Sequence, residues 1–143
     1  MADARQVAKE ATEAFNAHDE RRIRETYAPN VITEAPGGVR TEGPDAATQY
    51  AMVWLRAFPD ARITVKNQVA SGDWIVEEFT FQGTHKEPLA SPGGEIPATG
   101  RSITGHGVQI VRVEDDKIAE FRLYFDQVEV LTQLGLMPEP ATA

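Results

Sequence analysis

Cysteine is absent from the 143 residues of the chain. Disulfide bonds, thiolate nucleophiles and cysteine-based zinc sites are therefore excluded. The first residues, MADARQVAKE, lack the apolar core of a signal peptide, and no apolar run approaches the ~18 residues of a membrane span. We therefore expect a cytoplasmic protein with no membrane partner.

Positive charge is also scarce, because 14 Lys and Arg residues face 22 Asp and Glu residues, for a net charge of -8. Nucleic acids and anionic membranes need clustered Lys and Arg, so the composition argues against both partners. No two of the three histidines have a helix-ligand spacing such as HExxH, so no metal site is predicted. The length suggests one domain over residues 1–143, with a frayed tail at 138–143.

The N-terminal part shows helical periodicity. Apolar residues at spacings of three and four predict a helix over residues 3–17. A short second helix is predicted to begin at the cap Asp19 and to end at Pro29. A third helix follows, since Pro44 suits a first helical position and Pro59 stops the far end.

From residue 61 onward the apolar period changes to two, which predicts strands. We assign strands to ARITVKNQVASGD, WIVEEFTFQGTH, GRSITGHGVQIVRVED and KIAEFRLYF, and a shorter one to the earlier NVITEAPGG. The Pro- and Gly-rich KEPLASPGGEIPA is predicted to be a loop, and QVEVLTQLG a closing helix. Helices followed by consecutive antiparallel strands predict an α+β fold with the helices on one face of a strongly curved sheet.

The order and spacing of AFNAHD, FPD, GTH, PATGR, KIAEF and QLG resemble the SnoaL-like branch of the nuclear-transport-factor-2-like superfamily. The resemblance implies a cone: a strongly curved antiparallel sheet wrapped by three N-terminal helices, with a short C-terminal helix and an internal apolar cavity. It also implies a homodimer. The best-known members are polyketide cyclases, which close a ring by an intramolecular aldol reaction without a cofactor, while others are epoxide hydrolases or isomerases.

The cyclase site residues are only partly carried over by this resemblance. With QLG and KI as landmarks, the acid/base aspartate of the family falls at Leu123 and its histidine partner at Gln109. A pocket asparagine falls near Thr33 or Glu34. Leucine and glutamine cannot supply the base that an aldol cyclisation needs. The resemblance therefore implies the cyclase frame with its usual acid/base pair replaced.

Alternation along WIVEEFTFQ provides another candidate. Ile75, Glu77, Phe79 and Phe81 share one face, which is mostly apolar and expected to line the cavity. Glu77 would then be a candidate general acid or base in an apolar wall. A β-bulge that shifts the phase would instead place Glu77 outside.

Further candidates each keep a structural alternative. His85 could shuttle protons at the pocket edge or be a structural histidine, and Glu34 could be a second carboxylate at the mouth or a solvated loop residue. Gln109 could orient a carbonyl or bond a buried neighbour. Gly105 and Gly107, in phase with it, leave room for a ligand or for close backbone approach.

Aromatic side chains and one aspartate complete the set. Tyr50, Trp54 and Phe58 recur at every fourth position of the third predicted helix, so they form a stripe that packs in the core or also lines the cavity. Phe15 is a further wall residue. Asp126 lies at the junction of the last strand and last helix, where it is either an active-site acid or a helix cap.

Two functions remain open. The first is a cofactor-free enzyme that acts on an apolar, oxygenated small molecule by acid/base proton transfer. The predicted catalytic residues are then Glu77 and His85, and the predicted substrate contacts are Phe15, Glu34, Tyr50, Trp54, Phe79, Gln109 and Leu123. The alternative is a non-catalytic protein of the same fold that binds an apolar ligand or serves in assembly.

Overall fold

A computed structural model describes residues 3–137 of the chain. The predicted helices are present as α1 (Ala4–Asn16), α2 (Glu20–Glu25), α3 (Pro44–Ala57) and the C-terminal α4 (Gln127–Gln133). The side chain of Asp3 caps α1, and that of Asp19 caps α2 as predicted. None of the helices within these residues is both long and apolar enough to cross a membrane. The predicted frayed tail, 138–143, lies outside the described residues.

Six strands form one sheet in the order β2-β1-β8-β7-β4-β3. Their bounds are β1 (Tyr27–Ala35), β2 (Val39–Glu42), β3 (Arg62–Ser71), β4 (Trp74–Thr84), β7 (Ser102–Glu114) and β8 (Lys117–Phe125). The predicted hairpin across Glu114–Asp116 is confirmed, with β7 antiparallel to β8 and positive φ angles at the turn residues Asp115 and Asp116. The α+β class is therefore confirmed.

The expectation of an entirely antiparallel sheet is wrong at one place. β1 pairs with β8 in parallel, with Thr33 opposite Phe121. Parallel partners are joined by long crossovers rather than by tight turns, so no local turn signal announces them. The sheet is mixed, and β8 lies between one parallel and one antiparallel neighbour.

The expected end of the second helix is also wrong. α2 ends at Glu25, and Pro29 lies inside β1. The register between β1 and β8 shifts between Tyr27 and Ile32, so Pro29 occupies an irregular stretch where the missing N–H breaks no regular ladder.

The predicted loop KEPLASPGGEIPA contains a small hairpin. β5 (Leu89–Ser91) and β6 (Gly94–Ile96) pair antiparallel in a separate two-stranded sheet. Its turn is closed by the Ser91 hydroxyl, which donates to the Gly94 carbonyl. Leu89 is buried in the main core and so anchors a segment that has no apolar periodicity.

The core consists of two hydrophobic clusters. One surrounds Leu55, Phe58 and Leu134, and the other surrounds Ile75 and Val111. Tyr27 packs against both clusters, at the point where α2 gives way to β1. Both hydrophobic clusters therefore border the space between the helices and the concave face of the sheet.

Candidate functional site

Three inward-facing residues lie in a row across neighbouring strands. Glu77 on β4 is opposite Gln109 on β7, which is opposite Leu123 on β8. Glu77 is only 2% exposed, so its predicted inward phase is confirmed. The irregularity that could have reversed this phase lies in β3 instead, between Val65 and Asn67.

A pocket of about 120 Å³ adjoins this row. Its walls come from α1, α2, α3, α4 and the strands, and most of the lining atoms are carbon. It is lined by six of the predicted contact residues, namely Phe15, Tyr50, Trp54, Phe79, Gln109 and Leu123. A cavity of about 150 Å³ is known to hold benzene, so this space suits a ligand part the size of one ring.

Trp54 is the centre of the aromatic wall. Its ring meets Phe81 and Phe125 edge to face at centroid distances of 5.6 and 5.4 Å. It also stacks on Phe58 at 6.1 Å, but Phe58 is fully buried in the core and does not line the pocket. The predicted aromatic stripe therefore divides, with Tyr50 and Trp54 facing the pocket and Phe58 facing the core.

Polar residues interrupt the apolar wall, namely Thr12, Thr26, Tyr27, Thr33, Tyr50, Trp54, His106 and Gln109. In the described part of the chain, neither Thr33 Oγ1 nor Trp54 Nε1 has a hydrogen-bond partner, although both atoms are buried. Burial raises the pKa of the Tyr27 phenol to about 12. Burial also raises the pKa of Tyr50, and the nearby Trp54 indole, which is outside hydrogen-bond geometry, opposes this only in part. Both phenols therefore keep their protons at neutral pH and can donate to a ligand.

Sequence reasoning missed the site roles of Tyr27 and Thr33. The second helix was predicted to reach Pro29 and so to include Tyr27, but Tyr27 is the first residue of β1. Thr33 was noted only as one position near a family asparagine, but it lines the pocket and is 1% exposed. The available signal was the alternation of Val31 and Thr33 along β1, which places both on the buried face.

Glu77 does not line the pocket, because Gln109 lies in front of it. Gln109 Nε2 donates to Glu77 Oε1 over 2.9 Å, and Gln68 Nε2 donates to Oε2 over 3.1 Å. Both carboxylate oxygens thus have an amide donor, which offsets part of the cost of burying the charge. Gln109 bonds a buried neighbour, as one of its two predicted roles requires. It also borders the pocket, and its role in orienting a carbonyl stays a prediction.

Gly107 serves close approach rather than ligand space. Phe79 is its partner across β4 and β7, and a Cβ at Gly107 would lie 2.6 Å from Phe79 Cζ. At Gly105 the nearest atom to such a Cβ is Val130 Cγ2 at 3.6 Å. Gly107 is therefore required by the ring of Phe79, whereas Gly105 is not.

His85 lies outside the pocket lining. The side chain is fully buried and stacks on Phe58 at 5.2 Å. Its Nδ1 is 3.1 Å from the Thr99 hydroxyl, while its backbone bonds Arg101 and Gly100. Burial lowers the pKa of His85, with a smaller opposing contribution from the Glu87 backbone. These contacts fasten the end of β4 to the start of β7 and agree with the structural alternative.

Glu34 is exposed and lines a second hollow, of about 410 Å³, on the outer side of the β1–β2 turn. Arg40 lies opposite it across the two strands. Leu123 and Phe125 border both this hollow and the pocket. Glu34 is thus near the pocket but separated from it by these two side chains.

Asp126 caps α4. Its Oδ1 accepts from the backbone N–H groups of Val128 and Glu129, at 2.9 and 3.1 Å. Glu129 does not complete a capping box, because its carboxylate accepts from the backbone and ring of His106 instead. The hydrogen bonds of Asp126 agree with the helix-cap alternative. The hydrogen bonds between Glu129 and His106 attach α4 to β7.

Residues 3–137 contain no group of three or more His, Asp or Glu side chains arranged to hold a metal ion. The pocket instead offers a ring-sized apolar space with hydroxyl and indole donors and one glutamine amide. Such a set suits an aromatic or alicyclic ligand that carries oxygen substituents.

Comparison with solved structures identifies the class of fold. The crystal structure of IdmH from Streptomyces antibioticus superposes with a TM-score of 0.78 at 27% identity, covering 94% of this chain and 99% of that one. The fold is thus that of the SnoaL and nuclear-transport-factor-2-like proteins, as the sequence resemblance implied.

The family follows from the sequence as well. The model of the SnoaL-like polyketide cyclase family matches residues 5–134, so the chain belongs to this family. It is 28% identical over 115 residues to the aklanonic acid methyl ester cyclase DauD of Streptomyces sp. (strain C5), covering 79% of this chain and 66% of the relative. It is 29% identical over 126 residues to the nogalonic acid methyl ester cyclase of Streptomyces nogalater, covering 85% and 90%. The first alignment thus spans just under two thirds of DauD.

Proposed function

We propose that this protein is a cofactor-independent enzyme of the cyclase type that acts on an apolar, oxygenated ester. The observation that carries the proposal is the pocket beside Gln109 and Leu123, with its aromatic walls and few inward donors. Two relatives are named as cyclases of the methyl esters of aklanonic and nogalonic acid, which supports an ester of this type as substrate.

The chemistry is an intramolecular aldol closure or a related proton transfer. A carbon next to a carbonyl loses a proton, it attacks a second carbonyl carbon, and the carbonyl oxygen gains a proton, so the mass is unchanged. Tyr50 and Trp54 are the donors best placed to hydrogen-bond the carbonyl that gains charge. A carbon between a ketone and an ester ionises readily, so its enol requires orientation more than a strong base. Glu77 does not line the pocket but is hydrogen-bonded to Gln109, so it would affect the substrate through Gln109.

A polycyclic ester is larger than the enclosed pocket, since small-molecule sites commonly measure about 300–1,000 Å³. Leu123 and Phe125 line both the pocket and the outer hollow. Rotation of these two side chains would join the spaces, with one ring inside and the remainder of the molecule against β1 and β2. Leu123 then acts as a movable wall at the position where the family resemblance puts an acid.

The test is to incubate the purified protein with each of the two methyl esters and to follow the conversion by chromatography and mass spectrometry. The expected product has the same mass and a different retention time, and it forms faster than in buffer. Tyr50→Phe should slow conversion at least tenfold, whereas Trp74→Phe, at an exposed position of β4 outside both the pocket and the hollow, should not. Conversion no faster than in buffer, with the ester bound, would contradict catalysis.

A second candidate, a non-catalytic binding protein, is favoured by one observation: neither Glu77 nor His85 lines the pocket. It predicts that an apolar ester binds without conversion. Fluorescence of Trp54 in a Trp74→Phe background reports binding, because Trp54 lines the pocket and Trp74 lies exposed on β4. Quenching of Trp54 together with unchanged ligand after prolonged incubation would select this candidate.

We also propose that the protein is a homodimer joined through the outer face of the sheet. Val69, Val76 and Ile110 form a cross-strand row on this face, and Val69 is 59% exposed. An exposed apolar row of this kind is typical of an interface. Light scattering after gel filtration should give twice the chain mass, and Val76→Glu should shift it to the monomer mass. A monomer at all concentrations would contradict the proposal.

A further inference from the structure

A chain of hydrogen bonds connects the protein surface with the pocket. Arg5 on α1 donates to Gln68 on β3 over 2.8 Å, and Gln68 donates to Glu77 on β4 over 3.1 Å. Gln109 on β7, at the pocket wall, donates to the other oxygen of Glu77 over 2.9 Å. Four elements are thus linked through one buried carboxylate.

This chain determines which end of the Gln109 amide faces the pocket. Both carboxyl oxygens of Glu77 accept amide N–H groups, so the N–H₂ of Gln109 is turned towards Glu77. Its Oε1 then remains at the pocket wall, and no described residue donates to it. A glutamine without this partner could present either its oxygen or its nitrogen to a ligand.

We propose that Glu77 is a positioning residue which holds the Gln109 carbonyl towards the pocket, so that the pocket selects ligands with a hydroxyl donor at that point. The proposal deepens the proposed function and rests on its assignment of the pocket as the site. The Trp54 indole can only donate, and the phenols and threonine hydroxyls of the pocket can donate or accept, whereas Gln109 Oε1 contributes an acceptor that cannot donate.

The arrangement matches an enol. The enol tautomer of a β-keto ester carries one O–H donor beside one carbonyl acceptor, whereas the keto tautomer carries acceptors alone. Gln109 would accept from the enol O–H while Tyr50 or Trp54 donates to the neighbouring carbonyl. The pocket would thereby favour the tautomer whose carbon is already nucleophilic, without any pocket residue taking a proton from carbon.

Two one-ring probes test this orientation without turnover. 4-Methylphenol offers a hydroxyl donor, and 4-methylanisole has the same ring with the hydroxyl hydrogen replaced by methyl. Calorimetric titration of the wild-type protein should show about three- to tenfold tighter binding of the phenol, the effect of one net hydrogen bond. In Glu77→Gln the new amide can donate or accept, so Gln109 can turn over and the preference should fall below twofold.

Gln109→Leu is the second variant, in case Glu77→Gln does not fold. It removes the acceptor while leaving an apolar wall, so it should still bind 4-methylanisole and lose the preference for the phenol. A merely structural role for Glu77 would weaken both probes by the same factor and leave their ratio unchanged. The ratio therefore reports the amide orientation alone.

Three results would overturn the proposal. They are equal binding of the two probes by the wild type, no binding of either, and a phenol preference that survives in either folded variant. Failure of the proposed function is distinguishable, because it concerns conversion of the methyl esters. If the esters are not converted but the probe ratio is as expected, the proposed function fails and the Glu77 proposal stands. If the esters are converted but the probes bind equally, the Glu77 proposal fails and the proposed function stands.

Discussion

The ring of Phe79 lies across Gly107 on the neighbouring strand, so closely that a methyl group on Gly107 would be 2.6 Å from Cζ of the ring. The same methyl group would lie 3.0 Å from the Tyr124 carbonyl oxygen on the other side. Phe79 also lines the pocket, so the absence of a side chain at Gly107 determines where one wall of the pocket lies.

Gly107→Ala should therefore destabilise the protein by about 1–3 kcal/mol, the usual cost of overpacking a core. Because the added methyl group pushes Phe79 towards the pocket, binding of one-ring probes should weaken as well. Urea unfolding and calorimetric titration measure the two effects.

Gly105→Ala is the matched control on the same strand. The nearest atom to its new methyl group is 3.6 Å away, an ordinary contact, so stability should change by less than about 0.5 kcal/mol or rise slightly. Replacing Phe79 by Leu in the Gly107→Ala background should recover part of the loss. Equal losses in the two alanine variants would show that Phe79 does not depend on Gly107.

Gln109→Leu should cost about 1–3 kcal/mol of folding free energy, because it leaves one oxygen of the buried Glu77 without a donor. Replacing Glu77 by Leu as well removes the buried carboxyl group that has lost its donor, so the double variant should be more stable than Gln109→Leu alone. Gln82→Leu, on an exposed position of β4, should stay within about 0.5 kcal/mol of the wild type. A double variant that is less stable than the single one would contradict this account of the pair.

His85 should make stability depend on pH. Burial lowers its pKa below the usual 6.5, so the unfolded chain takes up a proton at a higher pH than the folded one. Stability is therefore complete above pH ~6.5 and is lost as the pH falls towards the folded pKa. Unfolding between about pH 7.5 and pH 5 should show a steeper loss in the wild type than in His85→Gln.

His85→Phe checks this result, since it keeps the stacking on Phe58 but removes the titration. The two His85 variants should have the same flatter pH profile even where their absolute stabilities differ. Profiles parallel to that of the wild type would mean that the folded protein protonates His85 as easily as the unfolded chain does.

Asp126→Ala should reduce stability by about 1 kcal/mol through the loss of the cap on α4. Asp126→Asn retains an accepting oxygen and should keep most of that stability. Neither change should alter conversion of the methyl esters by the folded protein, because Asp126 does not line the pocket. A folded Asp126→Asn protein that converts tenfold more slowly would return this residue to the chemistry.

The elements that could be predicted from the sequence are those specified by nearby residues. Alternation along β4 placed Glu77 inward, and the Asp126 cap depends on backbone groups two and three residues away. In both cases the determining partners lie on the same segment, so a periodic pattern is sufficient.

Features that depend on distant segments could not be predicted in the same way. The parallel pairing of β1 with β8 and the unpartnered Thr33 at the pocket are set by the path of the whole chain. The register that puts Gln109 in front of Glu77 could not be predicted either. Alternation gives the face on which each residue lies, but it does not give the side chain across from it on the neighbouring strand. His85 was a candidate because of its chemistry, and its burial against Phe58 depends on packing.

The parallel contact between β1 and β8 also constrains the order in which the sheet can be completed. Thr33 is synthesised before its partner Phe121, and the strands β3, β4 and β7 are made in between. Until β8 has been made, β1 can pair with β2 but has its other edge unpaired. That edge is open to wrong pairing while the central strands are being made, and β8 closes it.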